Sequence, residues 1–282
     1  MIRRLTLIGL GLLGGSVAKA ARAEGLAREI VAVGRRPASL EPALRDGVVD
    51  HITTDIAEGV AGTDLCILAT PVATLTSLLR MVWRAAPDPA VVTDVGSTKA
   101  AIVRTAEALG RDRPLAFIGS HPMAGSEKSG YAVARPDLFK GALVILTPTD
   151  QSVPAALERV HDFWQSLGAR VRMLDPVTHD RAVASISHLP HLVADALVDA
   201  VLRMDPSFLD IAATGFKDTT RIAASNPQVW REIFQENRDA LGEALAAFRR
   251  ALDDLETLLA AGDASAIEGD LERIKRARER VL

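Results

Sequence analysis

Short apolar runs alternate with longer helix-like stretches along residues 1–175 of the 282-residue chain. Within each run the apolar residues are continuous rather than alternating, which is typical of strands covered by helices on both faces. This alternation of strands and helices predicts an α/β fold built on a doubly wound, mostly parallel sheet. The predicted strands are residues 5–8, 30–33, 65–69, 91–94, 116–119, 143–146 and 171–174.

The pattern changes after Asp175-Pro176, and we interpret no segment of residues 177–282 as a strand. We therefore predict two domains, a sheet domain at residues 1–175 and an all-helical domain at residues 176–282. A length of 282 residues agrees with two domains, at roughly 150 residues per domain.

Two apolar patterns in the helical domain predict contacts between helices. Residues 192–202 are apolar nearly all round, which predicts a buried helix rather than a surface one. Leucine and phenylalanine recur from Leu241 to Leu259 at spacings of four and three, a seam that suits pairing with another helix. Either contact could form within the chain or between two subunits.

Composition and charge exclude several classes of protein. The chain is 48% apolar and 24% charged, which is ordinary for a soluble globular protein. Its formal net charge of -3 lacks the basic surplus that nucleic-acid phosphates require, so we expect no nucleic-acid partner. The single cysteine, Cys66, lies in an apolar run, where we expect a buried side chain in a reducing, cytoplasmic protein. No later run reaches the ~18 apolar residues of a membrane span, so we expect no membrane partner.

A glycine-rich loop follows the first predicted strand and precedes a helix-like stretch at residues 15–23. Gly9, Gly11 and Gly14 have the GxGxxG spacing, which allows a tight turn, close approach of a pyrophosphate and close packing of helix on strand. The same spacing argues against a secretory signal in the basic, apolar N-terminus. We predict a Rossmann-type dinucleotide site, with a glycine-rich turn of no chemical use as the alternative.

The end of the second predicted strand indicates which dinucleotide this loop would hold. An NAD-preferring site carries Asp or Glu there, to accept hydrogen bonds from the ribose hydroxyls. Gly34 stands at that position, followed by Arg35 and Arg36, whose guanidinium groups suit a 2′-phosphate. We therefore expect NADP to be preferred over NAD, with a site indifferent to the two cofactors as the alternative. The residues that we assign to the cofactor are Gly9, Gly11, Leu12, Leu13, Gly14, Gly34, Arg35, Arg36, Thr70 and Pro71.

Two polar segments follow predicted strands, where open α/β sheets place their ligands. One is DVGSTK at residues 94–99, which includes Ser97, and the other is GSHPMAGSEKSG at residues 119–130, which includes His121. An imidazole beside a nicotinamide can take a proton from a carbinol as hydride leaves. We assign His121 as the catalytic base, with a purely structural histidine as the alternative.

A third polar group lies in the helical domain. His188 and His191 flank Pro190, which can start a helix; this would leave His188 near the mouth of the pocket and His191 in the first turn. Lys217 and Arg221 are spaced i and i+4, so they would share a helix face and could bind a carboxylate. The alternative is that both are ordinary surface charges with no ligand. Too few ligands accompany the two histidines for a metal site, and we expect none.

Together these segments resemble the prephenate/arogenate dehydrogenase family of tyrosine biosynthesis. The resemblance rests on the glycine loop, DVGSTK, HPMAGSEKSG, SHLPH, GFKDTTRIA and Asn226-Pro227 with Trp230, in that order from residue 2 to about 260. It implies oxidative decarboxylation: hydride passes from the C4 carbinol carbon of prephenate or arogenate to the nicotinamide, carbon dioxide leaves and the ring becomes aromatic. Many relatives carry an acidic residue where this chain has Gly34, so the resemblance does not extend to NAD use.

The resemblance also implies roles for individual residues and an assembly. His121 resembles the family's catalytic histidine, which accepts the proton of the C4 hydroxyl, and Ser97 resembles the serine that shares this hydroxyl. Arg221 resembles the arginine that binds a substrate carboxylate, with His191 beside it. The family is dimeric through its helical domain, so a homodimer is expected. The other residues that we assign to the substrate pocket are Ser126, Glu127, Lys217 and His188.

Two other functions stay open on the sequence. A β-hydroxyacid or imine reductase also joins a dinucleotide domain to a helical one, and Lys217 could serve as its catalytic lysine. A non-catalytic nicotinamide sensor would bind the cofactor without turnover. Prephenate and arogenate, which differ in a side-chain keto or amino group, also both stay open, with His191 favouring the keto acid by adding positive character beside its side-chain carboxylate.

Overall fold

The computed structural model describes residues 1–111, 115–125 and 128–280. Its strands are β1 Ile2–Ile8, β2 Ala27–Val33, β3 His51–Thr53, β4 Leu65–Leu68, β5 Val91–Asp94, β6 Ala116–Pro122, β7 Leu143–Thr147 and β8 Arg170–Met173.

The eight strands form one sheet in the order β3-β2-β1-β4-β5-β6-β7-β8. Every neighbouring pair is parallel except β6 with β7, which is antiparallel. The predicted doubly wound, mostly parallel sheet is therefore confirmed. The strand β3 was not predicted, because it is a three-residue edge strand whose side chains are exposed or half-buried and give no apolar run. The expectation that both faces of the strand at 171–174 are covered is wrong, because β8 is an edge strand with Met173 47% exposed.

Apolar side chains fill the space on both faces of the central strands. Leu5 and Leu7 of β1 point into one buried cluster, and Ile8 points into the other, on the opposite face. Because successive residues of a strand face opposite sides, a strand buried on both faces must be continuously apolar. Cys66 of β4 is fully buried in the second cluster, as predicted, and burial raises the pKa of its thiol to about 12.

Helices cover the sheet and then form the second half of the chain. The sheet domain carries α1 Leu12–Ala23, α2 Glu41–Arg45, α3 Ile56–Val60, α4 Val72–Ala85, α5 Ala100–Gly110 and α6 Pro154–Ser166. The later helices are α7 Pro176–Val183, α8 Leu189–Met204, α9 Thr214–Thr220, α10 Pro227–Glu236, α11 Arg238–Ala261 and α12 Ala264–Arg278.

The helical half begins at a capped helix terminus. The carboxylate of Asp175 accepts hydrogen bonds from the backbone N–H groups of Val177 and Thr178, and Pro176 is in the first turn of α7. A π-helical turn at Ala184–His188 joins α7 directly to α8. Pro190 is therefore the second residue of α8 and follows this turn. The prediction that Pro190 starts a separate helix is wrong, because the helical turns run continuously from α7 into α8.

The apolar faces of the late helices are only partly covered within the chain. In α8 only His191 and Ala194 are buried, while Leu197 and Leu202 are 36% and 43% exposed. Residues 192–202 are therefore not fully buried within the single chain, and burial of this helix between two subunits, the other form of the prediction, stays a prediction. Along the seam of α11, Leu241 is buried but Leu259 is 69% exposed. Among the described helices, none is long and apolar enough to cross a membrane.

Candidate active site

The glycine loop lies between the carboxyl end of β1 and α1, where the strand order reverses between β1 and β4. Gly9 has a φ of +98°, and a Cβ there would lie 2.5 Å from the carbonyl oxygen of Ala69. A Cβ on Gly14 would lie 2.0 Å from the carbonyl oxygen of Gly9, whereas one on Gly11 would meet nothing within 4 Å. Gly11 also provides no side-chain cap for α1, which leaves the first N–H groups of this helix available to an anion. The loop thus fits the pyrophosphate of a dinucleotide.

The carboxyl end of β2 carries the other residues assigned to the cofactor. A Cβ on Gly34 would lie 2.9 Å from Cδ2 of the buried Leu40, so an acidic side chain there would have to displace that leucine. Arg35 and Arg36 are exposed just beyond the strand. Leu12 and Leu13 begin α1, and Thr70 and Pro71 precede α4 beside the glycine loop.

His121 lies near the carboxyl end of β6 and is 9% exposed. Its Nδ1 is 2.9 Å from Nε2 of His179, and Nδ1 of His179 is 2.8 Å from a carboxylate oxygen of Asp180. Asp180 in turn accepts hydrogen bonds from the backbone N–H groups of Lys99, at 2.7 Å, and Ala100, at 2.9 Å, where α5 begins. His179 and Asp180 were not among the predicted site residues. The adjacent His-Asp pair was the only signal, and nothing local connects it to β6.

The surroundings of His121 keep its imidazole neutral. Burial lowers the pKa of His121 well below its usual value, and the nearby His179, Lys99 and His188 lower it further. A neutral imidazole at neutral pH has a free lone pair, so His121 can accept a proton.

A buried ion pair holds the DVGSTK segment in place. The ammonium of Lys99 contacts the carboxylate of Asp94, and both side chains are fully buried. Asp94 also accepts hydrogen bonds from the backbone N–H groups of Gly96, at 2.8 Å, and Ser120, at 3.2 Å. These bonds tie the end of β5 to β6, next to His121. Ser97 is half-buried in this segment.

Two buried histidines of the helical half pack against Trp230, and one of them, His188, is close enough to His121 to lower its pKa. His188 is 1% exposed, and burial lowers its pKa to about 4. His191 is 2% exposed; its ring stacks on Trp230 with centroids 3.5 Å apart, and burial also lowers its pKa. Nδ1 of His191 is buried without a hydrogen-bond partner among the described residues. The expectation that His188 lies near the mouth of the pocket is wrong, because its side chain is buried.

Lys217 and Arg221 are exposed on a segment that packs against α8. Lys217 belongs to α9, while Arg221 opens a short 3-10 turn at Arg221–Ala224. Neither side chain forms a hydrogen bond or ion pair with another residue that the structure describes, so both cationic groups are available to a ligand. Ser126 and Glu127 lie outside the described residues. Within the described ranges, no group of three or more His, Cys, Asp or Glu side chains could hold a metal ion.

The fold and the site together define a class of protein. A glycine loop open to phosphate at the point where the strand order reverses, with a buried neutral histidine at the end of a strand in the same sheet, is the arrangement of a nicotinamide-dependent dehydrogenase. Residues 17–173 match the family model for the nucleotide-binding domain of prephenate dehydrogenase, and residues 175–273 match the model for its dimerization domain. The chain belongs to the prephenate dehydrogenase family.

Individual relatives agree with this assignment. The chain is 35% identical to prephenate dehydrogenase of Bacillus subtilis over 264 residues, which cover 92% of this chain and 71% of that protein. A crystal structure of prephenate dehydrogenase from A. aeolicus, in complex with hydroxyphenyl propionate and NAD+, superposes with a TM-score of 0.93 at 33% identity, over 100% of this chain and 99% of that one. Synechocystis arogenate dehydrogenase superposes with a TM-score of 0.87 at 31% identity, over 99% and 100% of the two chains.

These matches confirm the resemblance and the activity that it implied. The chain is an NAD(P)-dependent oxidoreductase of the family that carries out oxidative decarboxylation in tyrosine biosynthesis. Neither the reductase nor the non-catalytic sensor is favoured by the relatives. A nicotinamide cofactor is confirmed, while the preference for NADP stays a prediction.

Proposed function

We propose that this chain oxidises prephenate or arogenate at C4 and releases the ring carboxylate as carbon dioxide. The bound nicotinamide supplies the hydride acceptor. The observation that carries this proposal is the buried, neutral imidazole of His121 at the edge of the sheet that also carries the glycine loop. Loss of carbon dioxide needs no acid, so a single base is sufficient for the proton chemistry.

His121 accepts the proton of the C4 hydroxyl at Nε2, because its Nδ1 is occupied by His179. The hydroxyl of Ser97, which lies in the segment held by the Lys99–Asp94 ion pair, forms a hydrogen bond with the same substrate hydroxyl and orients the imidazole of His121. General base catalysis is worth ~10²–10⁴-fold, and positioning of the substrate supplies much of the remainder.

The helical half binds the carboxylates of the substrate in this proposal. Arg221 forms the main charge-assisted contact, since its guanidinium is exposed and has no partner among the described residues. Lys217 adds a second positive charge on the same segment. His188 and His191 form the wall of the pocket, and the unpartnered Nδ1 of His191 is available to a polar atom of the substrate. Ser126 and Glu127, which lie outside the described residues, stay predicted pocket residues.

We propose residues 1–175 as the dinucleotide domain, with NADP preferred over NAD. Gly34 places no carboxylate at the end of β2, and Arg35 and Arg36 lie exposed beyond it to meet a 2′-phosphate. Packing supports this choice, because Leu40 occupies the space that an acidic side chain at position 34 would need.

We propose residues 176–282 as a substrate and dimerisation domain that pairs with a second copy of this chain. The uncovered apolar side chains of its helices supply the contact surface, and large exposed apolar areas of this kind are typical of subunit interfaces. These side chains include Leu197, Leu202, Met204, Ile211, Leu252 and Leu259. Sedimentation of the purified chain tests the dimer, and a monomer at micromolar concentration would contradict it.

A steady-state assay with both substrates and both cofactors tests the proposed reaction. We expect reduced cofactor, followed by its absorbance, and carbon dioxide to appear in equal amounts, with a higher kcat/KM for NADP than for NAD. Comparison of kcat/KM for prephenate and arogenate identifies the preferred substrate. Cofactor binding without turnover of either substrate would contradict the proposed function.

A further inference from the structure

We propose that His179 and Asp180 are positioning residues that fix the tautomer of His121 and take up the positive charge that it gains during the reaction. This inference rests on the proposed function, because it assigns a role behind the base. The geometry that carries it is a series of hydrogen bonds, here called the relay, which runs from His121 through His179 to Asp180 and on to the start of α5.

The direction of these hydrogen bonds follows from Asp180. Its carboxylate accepts two backbone N–H groups, those of Lys99 and Ala100. Burial acts to raise the pKa of Asp180, but the hydrogen bonds from His179, Ala100 and Lys99 outweigh burial and hold the pKa below its usual value. An ionised carboxylate can only accept, so Nδ1 of His179 must donate to it.

The tautomer of His121 follows in turn. In a neutral His179 whose proton is on Nδ1, Nε2 carries a lone pair and can only accept a hydrogen bond. Nδ1 of His121 therefore carries the proton and donates it to His179 across 2.9 Å. The lone pair of His121 is left on Nε2, the only ring nitrogen that the relay does not occupy.

The relay also stabilises the positive charge that His121 gains when it accepts the substrate proton. The substrate O–H bond breaks as an N–H bond forms at Nε2 of His121. The proton on Nδ1 of His121 can then move to Nε2 of His179, so that the imidazolium is adjacent to the Asp180 carboxylate. No electron transfer or further reactant is needed. Since His121 and His179 are both buried, an unpaired positive charge here would be costly, and the carboxylate at 2.8 Å from His179 offsets that cost.

The relay joins separate elements of the fold. His121 comes from β6, whereas His179 and Asp180 come from α7, the first helix after the sheet. Asp180 is also fixed by its backbone carbonyl, which accepts a hydrogen bond from the side chain of Asn237 at 2.8 Å. The His179 ring contacts His121 at Nε2 and Asp180 at Nδ1, so it cannot rotate without breaking both hydrogen bonds.

Nitrogen NMR of the histidine side chains tests the tautomer without any substrate. In protein labelled with 15N-histidine, with the His121 signals assigned by their loss in His121→Asn, we expect a protonated Nδ1 and a bare Nε2. In Asp180→Asn we expect this pattern to be lost, because the amide can donate to Nδ1 of His179, which reverses the donor and acceptor roles along the relay. A protonated Nε2 on neutral His121 of the unaltered protein would overturn the relay. This result does not depend on turnover, so it is distinct from failure of the proposed function.

Kinetics separate a positioning role from a structural one. His179→Phe removes the acceptor and fills the space, and we expect kcat to fall about 100-fold, within the range for loss of general base catalysis, with little change in KM or in cofactor affinity. His179→Gln can place an amide oxygen near Nδ1 of His121, and we expect it to recover kcat at least partly.

The chain offers a matched control in His161 and Asp162, which are also adjacent, lie at the surface and have Nδ1 of His161 3.1 Å from the carboxylate of Asp162. His161→Phe and Asp162→Asn should leave kcat unchanged. An unchanged kcat in His179→Phe would overturn the proposal, as would a combined loss of kcat and cofactor affinity that His179→Gln does not recover.

Discussion

Nδ1 of His188 accepts a hydrogen bond from the side-chain amide of Asn237 at 3.1 Å. The same amide nitrogen donates to the backbone carbonyl of Asp180, which fixes the orientation of the amide. Protonation of His188 at Nδ1 would place two donors face to face in a buried site. This clash and the burial of His188 both favour the neutral ring, in agreement with its pKa of about 4.

Stability of the fold should therefore fall on the acid side. His188 is neutral in the folded chain down to about pH 4, whereas in the unfolded chain it takes up a proton below its ordinary value of 6.5. The unfolded state binds more protons in this interval, so the free energy of unfolding should decrease as pH falls from about 6.5 to about 4, by on the order of 3 kcal/mol for this residue. Urea unfolding at a series of pH values measures the slope. We expect His188→Asn to flatten it and His161→Asn, at the protein surface, to leave it unchanged; equal slopes in all three proteins would contradict the prediction.

Removal of the base should act on kcat. We expect His121→Asn to lower kcat by ~10²–10⁴-fold, because the amide cannot accept the proton, while KM changes modestly. Steady-state kinetics with the preferred substrate check this split, and cofactor titration confirms that the variant still binds the dinucleotide. His121 has no role as base if kcat is undiminished.

Removal of the proposed carboxylate contact should act on KM instead. Arg221→Ala loses a charge-assisted hydrogen bond worth about 1.5–3 kcal/mol, so KM should rise roughly 10- to 100-fold with a smaller effect on kcat. Arg28→Ala is a suitable control, because Arg28 is exposed near the start of β2, at the opposite edge of the sheet from the site. If the two variants have the same KM, the assignment of Arg221 is wrong.

The two exposed arginines after β2 should determine the choice of cofactor. Replacement of Arg35 and Arg36 by serine should lower kcat/KM for NADP about ten-fold or more, since a contact between charged groups is worth about 1.5–3 kcal/mol, and should leave kcat/KM for NAD nearly unchanged. The ratio of the two values in each protein is the measurement. An equal loss for both cofactors would exclude recognition of the 2′-phosphate by these residues.

Two glycines of the same loop should respond differently to alanine. A methyl group on Gly11 enters open space, so Gly11→Ala should change the free energy of unfolding by less than about 1 kcal/mol. The methyl would nevertheless occupy the space for the pyrophosphate, and cofactor affinity should fall about ten-fold, or ~1.4 kcal/mol. Gly14→Ala would push a methyl group against the backbone of Gly9 and should destabilise the fold by about 1–3 kcal/mol or more. Thermal unfolding and cofactor titration of both variants distinguish the effects; unaltered cofactor affinity in Gly11→Ala would place the pyrophosphate elsewhere.

Much of this site could be predicted from local sequence. The glycine loop, Gly34 with its two arginines, and His121 each lie at the carboxyl end of a strand, and these ends follow from continuous apolar runs in the sequence. A three-residue edge strand such as β3 gives no such run. Pro190 was misinterpreted because the π-helical turn before it lets the helix continue through the proline, and no residue pattern marks that turn.

The sequence by itself determined seven of the eight strands, the glycine loop that follows the first of them, the buried Cys66 and the position of His121 near the end of a strand. Each of these features follows from a local pattern, because the apolar and polar residues next to one another along the chain indicate which side chains are buried. Only the tertiary structure decided what lies behind His121, since His179 is 58 residues away and the two rings meet only when α7 packs against the end of the sheet. It also decided that the apolar face of α8 stays uncovered in the single chain, because periodicity shows that a face needs a partner but does not specify which surface provides it.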